Sequence, residues 1–415
     1  MAAPCGSWNS KYWKKGANGC ADDWSKSSKL KPTATAEFFP LTARKARHRR
    51  LRAMTLRTVV GLVKLHVWHG RDPQDKHWGC PIRERWGLQA HQQMSPALAE
   101  KLAFTATMSL SYEAAAQVAG KWGCPVDDAV IHALVQRVGA QAEAQTQERL
   151  KQLPQEQQPG RRASAVALLM VDGWFARFRG AGWGKQKTQH ERTAWREIKN
   201  GVFYLQEQAG RTEGGRGVVT DKVVVRTRGD ATDLGQRLHW EALRGGLGRA
   251  KEQLVLGDGI AWIWNLKASR WPAARELLDF WHGSQHLWNL GHACQGRDRA
   301  AVPPWVEQRL HDLRHGREQR VLKGISRLKV SRNQAGQIVG REKNYFAGHA
   351  GRMNYQAIAD RGWPIGSGPV ESSCRQDQRR FKGPGQSWSP AGFDHLSALD
   401  QVRRNNHWDE LWLTT

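Results

Sequence analysis

Three carboxylates stand in settings where they are able to do chemistry: Asp172 in ALLMVDGW, Asp258 in QLVLGDGIAWIWNL, and Glu371 in IGSGPVESSCRQDQRRFKG. The chain around them is strongly basic, with 64 Lys plus Arg against 38 Asp plus Glu and a formal net charge of +26. Acids at the ends of apolar runs are what such a composition leads one to expect least. Two divalent ions about 4 Å apart stabilise both the attacking and the leaving oxygen of an in-line phosphoryl substitution, and three carboxylates supply hard oxygen ligands for such a pair. The excess positive charge draws in a polyanion, and basic residues beside the acids hold its flanking phosphates. Taken singly, each acid is ordinary: Asp-Gly is a common turn pair, and a Glu in a first helical turn is favoured by the helix dipole. Asp279 and His282 stand among the last residues of RELLDFWH. His282 reads equally well as a satisfied core histidine.

The elements that must position these groups follow from pattern. AVALLMV is a buried-strand run ending at Asp172; GVFYLQEQ, DKVVVRTR and QLVLGD are further strands, and RELLDFWH a short one. DATDLGQRLHWEALRGG and IAWIWNL read as helices. The order strand, strand, strand, helix, strand, helix, strand, helix implies a mixed sheet with helices on its faces, in which the strands of Asp172 and Asp258 lie side by side. Residues 283–360 read as a basic helical insertion. Glu371 to Arg380 then form a helix on which Arg375 and Gln378 share the face of Glu371, and FKGPGQSW turns away from it.

Upstream, residues 1–56 are polar and basic, and are expected to be an irregular arm. RKARHRRLR, from Arg44 to Arg52, holds six basic residues in nine, and Arg47, Arg49 and Arg50 are candidates for a sequence-independent phosphate clamp. Residues 57–150 are read as a small β module followed by helices. Ser95 caps PALAEKLAFTATM with Pro96 at the first helical position, Ser111 caps YEAAAQVAGKW, and DDAVIHALVQRVGAQ follows Pro125. That succession matches either a helix-turn-helix, with the helix from Asp127 as reader, or a plain three-helix unit. A Gln-rich linker broken at Pro154 and Pro159 leads to the catalytic candidate, 163–282 and 361–415. The six cysteines are scattered without a CxxC pair, which argues against a disulfide scaffold or a standard zinc module. No segment reaches the roughly 18 to 20 apolar residues of a membrane span and the start lacks a secretory core, so a cytoplasmic, nucleoid-associated protein is expected. Trp outnumbers Phe and Tyr together, 21 against 10 and 5; such rings stack on unpaired bases or pack in cores.

In these residues the chain resembles the DDE transposases of bacterial insertion sequences. The likeness is nearest to the Kra-type insertion-sequence family and its Mutator-like relatives, over roughly residues 57–410 and including WDELW. The resemblance implies a ribonuclease-H-like catalytic domain interrupted by a helical insertion, preceded by a helix-turn-helix domain. It also implies cutting and joining of double-stranded DNA at the element's terminal inverted repeats and in target DNA. Asp172, Asp258 and Glu371 then become ligands of two Mg2+ ions, with Mn2+ able to substitute, and Asp279 and His282 the family's D-x-x-H signature. His282 takes an assisting role near the scissile phosphate, and Arg375, Arg379, Lys382 and Trp388 contact DNA. A homodimer or higher oligomer on DNA is implied, because two element ends must be brought together. The paired cysteines that some relatives carry upstream of the helix-turn-helix are missing. Two other readings compete: a catalytically inactive, transposase-derived DNA-binding protein, and a metal-dependent nuclease without joining activity.

Overall fold

The computed structural model describes residues 37–40, 43–88, 92–152, 165–185, 188, 192–295 and 298–413. The greater part of the expected basic arm, Cys5 and Cys20, and the linker prolines lie outside the described residues. The chain divides into two compact units, 1–139 with 407–415, and 140–406. The expected C-terminal segment 361–415 is therefore split. His407 onward belongs with the first unit, where the Trp408 ring meets Phe104 edge-on at 5.2 Å and its indole donates to Glu100.

In the first unit, β1 (Arg47–Thr58) and β2 (Gly61–Arg71) form a long antiparallel hairpin, which β3 (Trp78–Gly79) extends by two pairs. This corrects the irregular reading of residues 47–56. Met54 and Leu56 are buried while Ala53, Thr55 and Arg57 on the alternate positions are exposed, and the five arginines of β1 are all exposed along a strand whose register shifts between Arg47 and Arg50. After the short α1 (Pro81–Arg85) come α2 (Pro96–Met108), α3 (Tyr112–Lys121) and α4 (Asp128–Lys151). Ser95 and Ser111 cap α2 and α3 as expected, accepting from the amides of Leu98 and Ala114. The unit boundary falls inside α4.

The second unit is mixed α/β around a five-stranded sheet of order β10-β9-β4-β5-β8. β4 (Ala165–Arg179) pairs antiparallel with β5 (Thr193–Leu205); β6 (Ala209–Arg211) and β7 (Gly217–Val219) make a small separate hairpin; β8 (Val223–Thr227) pairs antiparallel with β5. Next come α5 (Ala231–Arg244), β9 (Ala250–Gly257), α6 (Ala261–Arg270) and β10 (Arg275–Leu278), with β10, β9 and β4 mutually parallel. Apart from the β6–β7 hairpin, that is the expected order. Several bounds differ: β5 begins at Thr193 rather than Gly201 and ends at Leu205, and β9 begins at Ala250 rather than Gln253. β4 does not stop at Asp172, because Trp174, Ala176 and Phe178 keep alternating inward while β5 stays paired as far as Arg179. β10 stops at Leu278, and LDFWH enters α7 (Phe280–Gln295) because the Asp279 carboxylate accepts the His282 amide as a helix cap does.

The helical stretch continues through α8 (Val302–Arg314), α9 (Glu318–Ser326), α10 (Gln334–Gly348) and α11 (Tyr355–Ala359). α12 (Gly368–Phe381) and α13 (Pro390–Arg404) then return to the sheet. Neighbouring residues of β5 show how its faces are covered. Asn200 bonds to Asp377 of α12, while Gly201 lies so close to α5 that a Cβ there would come 2.7 Å from Leu238. Successive strand residues face opposite ways, so α12 and α5 cover opposite faces. No described helix is long and apolar enough to cross a membrane.

Candidate metal centre

The β4–β9 ladder ends at Met170 opposite Leu256, and two residues further on stand Asp172, still within β4, and Asp258, just past the end of β9. Both are half-buried. Asp172 accepts its neighbour's amide, that of Gly173, at 2.7 Å, and the thiol of Cys374 also donates to it. Asp258 closes a turn by accepting the Ile260 amide at 3.0 Å, and Gly259 makes that turn at φ +102, where a side chain would also run into His349 and Tyr345. The Tyr345 hydroxyl pins the turn by donating to the Asp258 carbonyl at 2.9 Å. Burial raises the pKa of both carboxyls, and for Asp172 the charge of Asp258 adds to it. Among the described residues neither forms an ion pair with Lys or Arg.

One strand over, Asp279 follows β10 and is fully buried. Its amide donates to the Gly257 carbonyl at 2.8 Å, and its carboxylate accepts the amides of His282 and Ser367 and faces the His282 Nδ1 at 3.3 Å. Burial alone would raise its pKa, but these donors outweigh burial and hold the carboxyl below its ordinary range. The bond to Asp279 conversely raises the pKa of His282 against the effect of burial, helped by the charges of Asp279, Asp258 and Asp172. Glu371, in the first turn of α12, accepts from the Ser367 hydroxyl and from Arg375, each at 3.3 Å. Candidate ligand atoms of Asp279, His282 and Glu371 lie within 4.8 Å of one another.

The predicted acids therefore fall into two adjoining groups, Asp172 with Asp258 and Glu371 with Asp279 and His282. His282 interacts electrostatically with both. Hard carboxylate oxygens suit Mg2+ or Mn2+, and an aspartate pair with no Lys or Arg ion pair among the described residues is the kind of donor set that a divalent cation would neutralise.

A buried charge network holds α12, and with it Glu371, against the sheet. Arg226 of β8 is fully enclosed and pairs with Asp377 of α12 and Asp400 of α13; Arg404 reaches Asp377 at 2.6 Å; Asn200 bonds to Asp377 and receives the Trp174 indole at 3.0 Å. Burial would lower the pKa of Arg226, but the two carboxylates more than offset this and leave it above its ordinary value. No local pattern announces this network, since its partners are far apart in the chain. Cys374, which lies beside Asp172, follows Glu371 by three residues in the same helix, and that spacing was the one local signal for its place near the acids.

The predicted DNA contacts divide. Arg375, Arg379 and Lys382 are exposed. Trp388 is engaged in packing: its indole donates to the Phe381 carbonyl at 2.8 Å, its ring sits 5.3 Å from Phe381, and its backbone bonds to Arg177 and Arg179 of β4. FKGPGQSW thus folds back on the sheet rather than turning away, because its aromatic ring completes the cluster of Phe178, Phe381 and Phe393. Arg47 and Arg50 project from β1, whereas Arg49 pairs with Glu37 and lies over the Trp68 ring. The tryptophans split likewise: Trp174, Trp264 and Trp271 are buried, while Trp195 and Trp281 are exposed.

No protein-family model matches the chain, and no curated protein matches it.

Proposed function

We propose that this protein is a DDE-type transposase with a ribonuclease-H-like catalytic domain, which binds the ends of an insertion sequence and cuts and joins DNA. The observation that carries the reading is the pair Asp172 and Asp258, side by side where β9 leaves β4, without a Lys or Arg ion pair among the described residues, in a chain of net charge +26. The mixed sheet, the helices between β10 and α12, and the delivery of Glu371 from α12 beside Asp279 and His282 support it.

Asp172, Asp258 and Glu371 would hold two Mg2+ ions. Bound there, such ions supply charge neutralisation at the scissile phosphate and a lowered pKa for an attacking water or 3′-hydroxyl. The protein's own groups do the rest. Asp279 fixes the ring of His282, so that its Nε2 is the nitrogen left for a phosphate oxygen or a leaving hydroxyl. Arg375, Arg379 and Lys382 hold flanking phosphates by charge. In hydrolysis a water oxygen bonds to phosphorus as a backbone P–O bond breaks; in joining, a DNA 3′-hydroxyl replaces the water.

The test is a Mg2+-dependent reaction of the purified protein with duplex DNA carrying the sequences that flank its gene, wild type against Asp258→Asn. Cleaved and joined products from wild type only are expected. Cleavage without joined products would make the protein a nuclease. Tight binding without products from either protein would make it a DNA-binding derivative.

A further inference from the structure

We infer that the β1–β2 hairpin is a DNA-groove ribbon, and that its solvent face, rather than the N-terminus of α4, reads duplex DNA. This rests on DNA being the partner, as proposed above, and adds which surface meets it.

The hairpin strands are 12 and 11 residues long, and together contain seven Lys or Arg and no Asp or Glu. Directly opposed residues share a face. Met54 opposite Leu65 and Leu56 opposite Val63 define the inner face of the module. The outer face carries the pairs Leu51–Trp68, Ala53–His66, Thr55–Lys64 and Arg57–Leu62. All of these side chains are exposed except the half-buried Trp68, against which Arg49 stacks at 5.2 Å. Among the described residues no carboxylate pairs with Arg57 or Lys64. The face thus carries two cations, Arg57 and Lys64, and one imidazole, His66, set among Thr55 and the apolar side chains of Leu51, Ala53, Leu62 and Trp68.

Shape and charge together select the occupant. Two paired strands of this length make a rod about 36 Å long, and a major groove about 12 Å wide admits a two-stranded ribbon. Arg57 and Lys64 are then placed for guanine edges or phosphates, and Leu51, Ala53, Thr55 and Leu62 for thymine methyls. An isolated hairpin is weak, yet this one is braced. The Arg57 amide donates to Gln93 and its carbonyl accepts from Ser95, while the thiol of Cys124 donates to the Thr58 carbonyl at 3.3 Å. The rival reader begins badly for a polyanion, since Asp127 and Asp128 are both exposed at the start of α4.

The experiment is fluorescence anisotropy of full-length protein on a labelled 30-base-pair duplex across a salt series. Wild type is compared with Arg57→Gln/Lys64→Gln/His66→Gln and with Asp127→Asn/Asp128→Asn, each checked by circular dichroism melting. All changed side chains are exposed, so folding should be unaffected. The ribbon variant is expected to lower the slope of log K against log salt by about 2, to weaken binding 10-fold or more at physiological salt, and to lose interference from guanine N7 methylation. The α4 variant should bind as tightly as wild type or tighter. Wild-type affinity and slope in the ribbon variant would overturn the inference while leaving the transposase reading in place. A wild type with no affinity for duplex would overturn both. A ribbon variant that loses self-association in sedimentation yet binds DNA normally would show that the face meets a second copy of the chain, and would also overturn the inference.

Discussion

Two clusters of charge flank the same sheet and are built on opposite principles. Around Arg226, each buried charge has its counter-charge: Asp377 and Asp400 face the guanidinium, and Arg404 closes the set. Around Asp172 and Asp258, two half-buried acids stand together with burial raising the pKa of each and no Lys or Arg paired to either among the described residues. A compensated cluster fixes one packing arrangement. An uncompensated one sacrifices stability and is poised for a ligand of opposite charge, which is how perturbed carboxyls come to mark functional sites.

The contrast is open to experiment at several strengths. The largest effect should come from the uncompensated side. Asp258→Asn is expected to reduce Mg2+-dependent cleavage by on the order of 10³-fold or more, a barrier increase of about 4 kcal/mol, while leaving the melting temperature in metal-free buffer unchanged or higher. A lower melting temperature would mean that Asp258 is structural. On the compensated side the sign reverses. Arg226→Met removes the enclosed guanidinium shared by Asp377 and Asp400, leaving them only Arg404 and Arg403, and should cost roughly 3 kcal/mol or more in denaturant unfolding. Stability close to wild type in that variant would show that the network contributes little.

A pH series sharpens the comparison with a third kind of buried group. His239 of α5 is buried without a hydrogen-bond partner for its ring nitrogens among the described residues, and burial, with the charge of Arg270, depresses its pKa from 6.5 to about 4. The unfolded chain therefore takes up the proton first as pH falls. Folding stability should drop between pH 6.5 and about 4, by up to about 3 kcal/mol, and level off below. His239→Leu should flatten that slope, and an identical slope in the variant would assign it to other groups.

The smallest effect belongs to the surface. Arg375 is largely exposed and its ion pair with Glu371 spans one helical turn, so Arg375→Gln should change stability by less than about 0.5 kcal/mol. Its consequence should appear as weaker DNA binding instead, and an unaltered salt dependence would remove it from the interface.

How much was legible in advance varies with the range of the interaction. Apolar runs gave the strands of the second unit and their order, since a parallel pair such as β4 and β9 needs continuous hydrophobic segments. Capping serines gave the starts of α2 and α3, because a hydroxyl bonding an amide three residues on is a local event. Basic density hid β1: charge reads as solvated coil until a partner strand takes the backbone bonds and leaves the cations on the surface. Trp388 was misplaced for the converse reason. Its flanking Gly and Pro suggested departure from the helix, whereas the aromatic cluster that captures it is assembled from β4, α12 and α13.

The sequence by itself determined the inventory: a basic chain, three acids in strand or helix-start settings, an Asp–x–x–His pair, and alternating strand and helix patterns. Spacing along a helix also placed Arg375 over Glu371. Only the tertiary structure decided which acids stand together, that Asp279 is spent on orienting His282 and meeting Ser367, and that Glu371 is held in place through Asp377. Those outcomes depend on strand register and on side chains far apart in the chain, and local patterns in a single sequence do not encode either.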